Sequence, residues 1–219
     1  MTSISDLSKH HCCDVFQDFN SKSNFPNKPF NVHLKKKTAN DKKLEQLIIQ
    51  KIKNKNFDPS VEDNLLFQWA CAHNKKELVG RLLKHPKVDP LANDSMGFRK
   101  AAEKGHIEIV EILLKDKRIL PNAKDDYAIL WASIKGHIQV VSLLLKNPLV
   151  NPASCQSAAL CFASENGQKR IVQMLLEDKR SDPTAREFYA IKAAKRGGYK
   201  KIVKLIESFL NDQSIKISF

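Results

Sequence analysis

His10, His11, Cys12 and Cys13 place two imidazoles and two thiols side by side near the start of the sequence. Those side chains could bind zinc, which needs four ligands converging tetrahedrally, commonly from spaced pairs such as Cys-x-x-Cys or His-x-x-x-His. Four consecutive residues on a helix point around its circumference, so this run cannot close a site alone. His33, the next histidine, brings no paired ligand. The expectation is a polar helix face, with no metal and no other cofactor. A Cys–His nucleophile could draw on Cys12, Cys13 or Cys71, but residues 1–32 are too few to wall a catalytic pocket. Cys71 and Cys161 fall within helical patterns and Cys155 in a loop, where packing or surface roles account for them. No glycine-rich phosphate loop or paired carboxylates are present, and the chain is read as non-enzymatic.

The elements that carry these residues come from an ordinary composition: 219 residues, 42% hydrophobic and 28% charged. No apolar run approaches the roughly 18 residues that span a bilayer, and "MTSISDLSKHHCCDVF" lacks the basic start and apolar stretch of a general secretion signal. Five scattered cysteines make no disulfide framework, so a cytoplasmic setting is expected. The formal charge of +13 is spread out. Residues 1–56 carry 11 Lys/Arg against 5 Asp/Glu, and the remainder carries 26 against 19. Such an excess attracts acidic partners, nucleic acid or anionic membrane at long range. The cluster "HLKKKTANDKK" has no interleaved aromatics on which bases could stack.

An internal period organises the rest. In "AAEKGHIEIVEILLKDKR", Gly105 interrupts an amphipathic pattern, where it would cost a helix interior about 1 kcal/mol relative to alanine. The interruption recurs: Gly105, Gly136, Gly167 and Gly198 are each 31 residues apart. Pro59, Pro90, Pro121, Pro152 and Pro183 keep the same period, as do Ala70, Ala101, Ala132, Ala163 and Ala194, and Val79, Val110, Val141, Val172 and Val203. Each unit therefore holds a loop proline, a short helix A, a glycine bend and a more apolar helix B. Asn64, Ser95, Asp126 and Ser157 are placed to cap helix A, and only Phe188 breaks that pattern. Phe67, Phe98, Ile129, Leu160 and Ile191 point inward, and the alanine lets neighbouring helices approach closely. One such unit cannot bury its apolar face, whereas a stack can.

These residues resemble the ankyrin repeat, most fully in "AAEKGHIEIVEILL", over residues 57–210, about 70% of the chain. Two departures stand out: "MGFR", "YAIL" and "AALC" replace the usual Thr-Pro-Leu-His opening, and the period is 31 rather than 33. The resemblance implies an all-α ankyrin-type solenoid of stacked antiparallel helix pairs with short loops. Five repeats are expected, at 57–87, 88–118, 119–149, 150–180 and 181–210, with a tail at 211–219. Residues 33–56 are read as a degenerate capping repeat, with Leu47, Ile48 and Ile52 on its core face. Residues 1–32 are read as an amphipathic helix at 3–19 followed by an extended linker. Lys195 stands where other repeats carry Cys71, Ala102, Ser133 or Ser164, which suits a last repeat facing water.

The resemblance also implies a function: a monomeric scaffold or adaptor that binds a protein through its concave face. Loop tips and the exposed end of helix A vary between repeats while the core does not. The expected contact residues are Asp63, Asp94, Asp125 and Gln156 in the loops, and His73, Lys104, Lys135, Asn166 and Arg196 near the glycine. Trp69, Lys100 and Trp131 share one slot on helix A with Phe162. A basic module docking on nucleic acid or anionic membrane is the alternative. The Lys, Asn and Ile richness resembles ankyrin proteins of amoebae, giant viruses and bacteria living inside eukaryotic cells, implying an effector in host cytosol. His106 and His137, after the glycine, are read as structural.

Overall fold

The computed structural model describes residues 40–54 and 57–213, and every helix or strand assigned among them is an α-helix. A first helix, α1 (Asn40–Ile52), precedes five helix pairs. The A-type members are α2 (Val61–Ala72), α4 (Ala92–Lys104), α6 (Ala123–Lys135), α8 (Ser154–Glu165) and α10 (Ala185–Arg196). The B-type members are α3 (Lys76–Leu83), α5 (Ile107–Leu114), α7 (Ile138–Leu145), α9 (Lys169–Glu177) and α11 (Lys200–Asp212). The chain divides into residues 1–41 and 42–219, and the five pairs lie wholly within the second unit. The expectations for His10–Cys13, for the helix at 3–19 and for the linker lie outside the described residues.

The glycine bend has a definite geometry. Gly105, Gly136, Gly167 and Gly198 all have φ between 69° and 82°, and Asn74 takes the left-handed conformation (φ 55°) in the first repeat. Asparagine is among the few side chains that tolerate this region. One residue further on, the backbone N–H reaches back to the recurring alanine: Lys75, His106, His137, Gln168 and Tyr199 donate to the carbonyls of Ala70, Ala101, Ala132, Ala163 and Ala194, each at 2.9 Å. The alanine thus allows close packing and also receives the bond that ends its helix. At Gly105 space is needed as well as conformation, because an added Cβ would lie 2.5 Å from the His137 ring of the next repeat.

The start of each A-type helix differs from expectation. Three consecutive residues there are left-handed: 62–64, 93–95, 124–126, 155–157 and 186–188, with φ between 52° and 62°. None is glycine, and the left-handed region costs about 1–2 kcal/mol per residue for other residues. Asn64, Ser95, Asp126 and Ser157 therefore do not cap helix A. They are buried at the end of this turn, and each accepts a hydrogen bond from the backbone of the following repeat. The donors are the N–H groups of Asp89 (2.9 Å), Leu120 (3.4 Å), Asn151 (2.7 Å) and Asp182 (2.7 Å). Phe188, in the fifth repeat, departs from this polar set and is half-buried.

A second series of contacts runs backwards. His106 Nε2 and His137 Nε2 donate to the carbonyls of Ala72 (3.1 Å) and Glu103 (2.9 Å), and Gln168 Nε2 to that of Ile134 (3.3 Å). At the far end of the B-type helices, Arg118 donates to the carbonyls of Leu83 (2.9 Å) and Val88 (3.2 Å) while paired with Asp116. Arg180 does the same to Leu145 (2.8 Å) and Val150 (2.7 Å) while paired with Asp178.

The apolar core runs through all five pairs. Phe67, Phe98, Ile129, Leu160 and Ile191 are at most 1% exposed, and all five alanines are fully buried. Truncating a core residue such as Phe98 or Leu113 to alanine should cost about 2–5 kcal/mol. At the N-terminal end, Ile49 is buried and Ile48 and Ile52 pack against the core. Leu47 is 48% exposed, correcting its expected place on the core face. At the other end, Lys195 is exposed and pairs with Glu207 at 3.6 Å, whereas Cys71, Ala102, Ser133 and Ser164 in the same slot are buried.

Candidate protein-binding face

The A-type helices pack against one another much more closely than the B-type helices do. The A-type helices thus form one closely packed side of the stack, termed the inner face below. Along each runs a stripe of residues four apart, which share one side of the helix. The stripes are Leu65, Trp69 and His73; Met96, Lys100 and Lys104; Tyr127, Trp131 and Lys135; Ala158, Phe162 and Asn166; and Tyr189, Ala193 and Gly197. The first two members of each stripe are half-buried or buried, and the last is solvent-facing in all five.

Aromatic rings and cations interlock along this face. Trp69 stacks on His73 with centroids 4.8 Å apart, and Tyr127 lies 5.5 Å from Trp131. Lys135 Nζ sits 5.5 Å above the Trp131 ring, and the Arg99 guanidinium 5.0 Å from the Tyr127 ring of the next repeat. Across the last seam, Phe162 meets Tyr189 edge-on at 6.4 Å, Arg196 lies 5.3 Å over Tyr189, and the Tyr189 hydroxyl donates to Glu165 at 3.2 Å. Burial and the adjacent Glu165 raise the Tyr189 phenol above its ordinary range. Beside the stripes, the left-handed turns present Asp63, Asp94, Asp125 and Gln156 to solvent. Side chains on the helices hold those turns: Gln68 donates to the Asp63 carbonyl (2.6 Å), and Arg99 to those of Asp94 and Asn93 (2.8 Å each).

Residues 98–187, the span from the middle of α4 to the left-handed turn of α10, match the family model for ankyrin repeats in three copies. These residues are ankyrin repeats. No curated protein matches the chain. Ankyrin repeats are generally protein–protein interaction modules and typically non-enzymatic. The ankyrin geometry sorts the residues named from sequence. His73, Lys104, Lys135, Asn166 and Arg196 are exposed at the ends of successive A-type helices, and the loop residues lie in the adjoining turns. Trp69 and Trp131 are half-buried and pack into the face.

Lys100 is different. It is only 7% exposed and pairs with Glu103 at 2.7 Å, so it packs within the ankyrin stack instead of being displayed. Burial lowers its pKa, and the Glu103 carboxylate opposes that shift. Ile134 and Phe162 are buried too. Arg99, Tyr127 and Tyr189 were not singled out from sequence. Tyr127 could have been found, since it lies four residues before Trp131, and Tyr189 stands in the same register slot two repeats later. Of the cysteines among the described residues, Cys71 and Cys161 are buried, and burial pushes the Cys161 thiol up to about 11 and that of Cys71 higher still. Among the described residues no group of three His, Cys, Asp or Glu side chains could hold a metal, and no helix is long and apolar enough to cross a membrane.

Proposed function

We propose that the ankyrin stack is a non-enzymatic scaffold that recognises a protein through the inner face of the A-type helices and the adjoining left-handed turns. One observation carries this reading. Lys104, Lys135 and Asn166 are exposed in the same slot of successive repeats, while the alanine three residues before each is fully buried and identical. Contacts can therefore vary along the row without disturbing the scaffold. The +13 charge favours a second reading, docking on nucleic acid or anionic membrane.

The discriminating experiment reverses charge at two places. Lys104→Glu with Lys135→Glu should abolish capture of the principal partner and leave the melting curve within about two degrees, since surface changes away from buried groups usually move stability by under 0.5 kcal/mol. The control is Lys115→Glu with Lys146→Glu, exposed at the C-terminal ends of α5 and α7. Equal damage from both pairs, with binding that weakens steeply in salt, would favour the electrostatic reading.

A further inference from the structure

We infer that the partner of the inner face is an acidic protein segment whose carboxylates are spaced to meet cations of alternate repeats. The inference rests on the inner-face reading and adds the chemistry of the occupant. Lys135 is held over Trp131 and Arg196 over Tyr189, in the third and fifth repeats. A ring-backed seat of the same kind holds the His73 imidazole on Trp69 in the first repeat. The second and fourth repeats differ: Lys104 is exposed, but Lys100, buried against Glu103, stands where a ring would back it, and Asn166 is uncharged.

Two further observations identify the occupant's charge and exclude a stacked base. Among the helix positions, Glu103 and Glu165 lie against Lys100 and Tyr189, while Lys104, Lys135 and Arg196 remain exposed. The row along the helix ends is therefore positive, with Asp63, Asp94 and Asp125 set apart on the adjoining turns. The aromatic rings, which a single-stranded nucleic acid would use as stacking platforms, already have a cation or imidazole against them. A base would have to displace it, whereas a carboxylate approaches the cation from outside and leaves the ring contact intact. Holding a cation on a ring also restricts a long side chain, so less freedom is lost on pairing.

The spacing follows from helix packing. Neighbouring helix axes lie about 8–10 Å apart, so alternate repeats are separated by about 16–20 Å. That span equals about 11–13 residues of helix at 1.5 Å each, or about 5–6 residues of extended chain at 3.3 Å each.

The test uses the full chain and three fluorescent peptides of alanine and glutamine, each carrying two Glu-Glu pairs. The pairs are set about 12 residues apart, about 6 apart, or adjacent, so that charge is constant and only spacing varies. Fluorescence anisotropy at physiological salt should show one spaced peptide binding about tenfold more tightly than the adjacent one. Lys135→Met and Arg196→Met should each remove that advantage while leaving the melting curve in place. The inference is overturned if all three peptides bind alike, or if none binds. It is also overturned if Lys115→Glu with Lys146→Glu weakens binding as much, or if a thymidine oligonucleotide binds more tightly than any peptide. Where the peptides fail but partner capture still depends on Lys104 and Lys135, the acidic occupant is wrong and the inner-face scaffold stands.

Discussion

The first four repeats and the fifth carry nearly the same core, yet they differ at the slots that face forward. Asn64, Ser95, Asp126 and Ser157 become Phe188, and the buried Cys71, Ala102, Ser133 and Ser164 become the exposed Lys195. Each of these positions in an interior repeat serves its successor, by accepting a backbone hydrogen bond or by leaving room for a helix. The backward-facing slot keeps its task to the end: Tyr199 packs against the Gly167 bend as His137 does against Gly105. A repeat in this stack is therefore polar, and its last copy is recognised by what it no longer supplies.

Swapping the forward-facing residues should break that difference. Ser133→Lys puts an ammonium into a fully buried slot, and an uncompensated buried charge costs about 3–5 kcal/mol. Thermal melting should show a loss of about ten degrees, at roughly 2–4 degrees per kcal/mol for a domain of this size. Lys195→Ser should leave the melting temperature within about a degree, its ion pair being exposed and of little net value. Equal effects would mean that the two slots are not differently buried.

A smaller effect sharpens the same contrast. Ser157→Ala leaves the Asp182 N–H without its side-chain acceptor, at a cost of about 1–3 kcal/mol. Phe188→Ser adds no such bond, because the described residues beyond it hold no further repeat to supply a donor. Urea unfolding should therefore separate the two, with a lower midpoint for Ser157→Ala only.

The smallest effect concerns the backward slot. Burial first, partly offset by the bond to Ala72, holds the His106 imidazole below its ordinary value of 6.5. Its contribution to stability is present above that pH and is lost as pH falls through the folded value, because the unfolded chain takes up the proton more readily. His106→Gln, which installs the side chain that Gln168 already uses in this slot, should leave the melting temperature at pH 7.5 nearly unchanged. The variant should lose less stability than wild type between pH 6.5 and 5. An identical pH profile would mean that another group titrates there.

Much of this fold was legible because the period displays it repeatedly: proline, alanine and glycine each mark a fixed backbone task. The left-handed turns were hidden. Glu62, Asp63 and their counterparts carry no glycine to signal positive φ, and Asn, Ser and Asp are equally at home capping a helix. The same side chains therefore fitted two local structures, and only the backbone of the following repeat decides between them. At the candidate face, solvent-facing positions such as Lys104 and Lys135 followed from register. Lys100 did not, since its burial depends on a carboxylate three residues away and on how closely neighbouring helices approach. Leu47, Ile48 and Ile49 are consecutive apolar residues spread around the helix, so they cannot all face the core, and Leu47 is the one turned outward.

Arg118 and Arg180 stand 62 residues apart, twice the repeat period. Arg118 fastens the second repeat to the first and Arg180 the fourth to the third, while Leu149, in the same slot between them, is 56% exposed. The outer edge is thus bolted at every other joint. Under a bending load, the joint between the second and third repeats can open on that edge without breaking a guanidinium bond, and its neighbours cannot. The scaffold should therefore flex as a folding rule does, in two-repeat lengths.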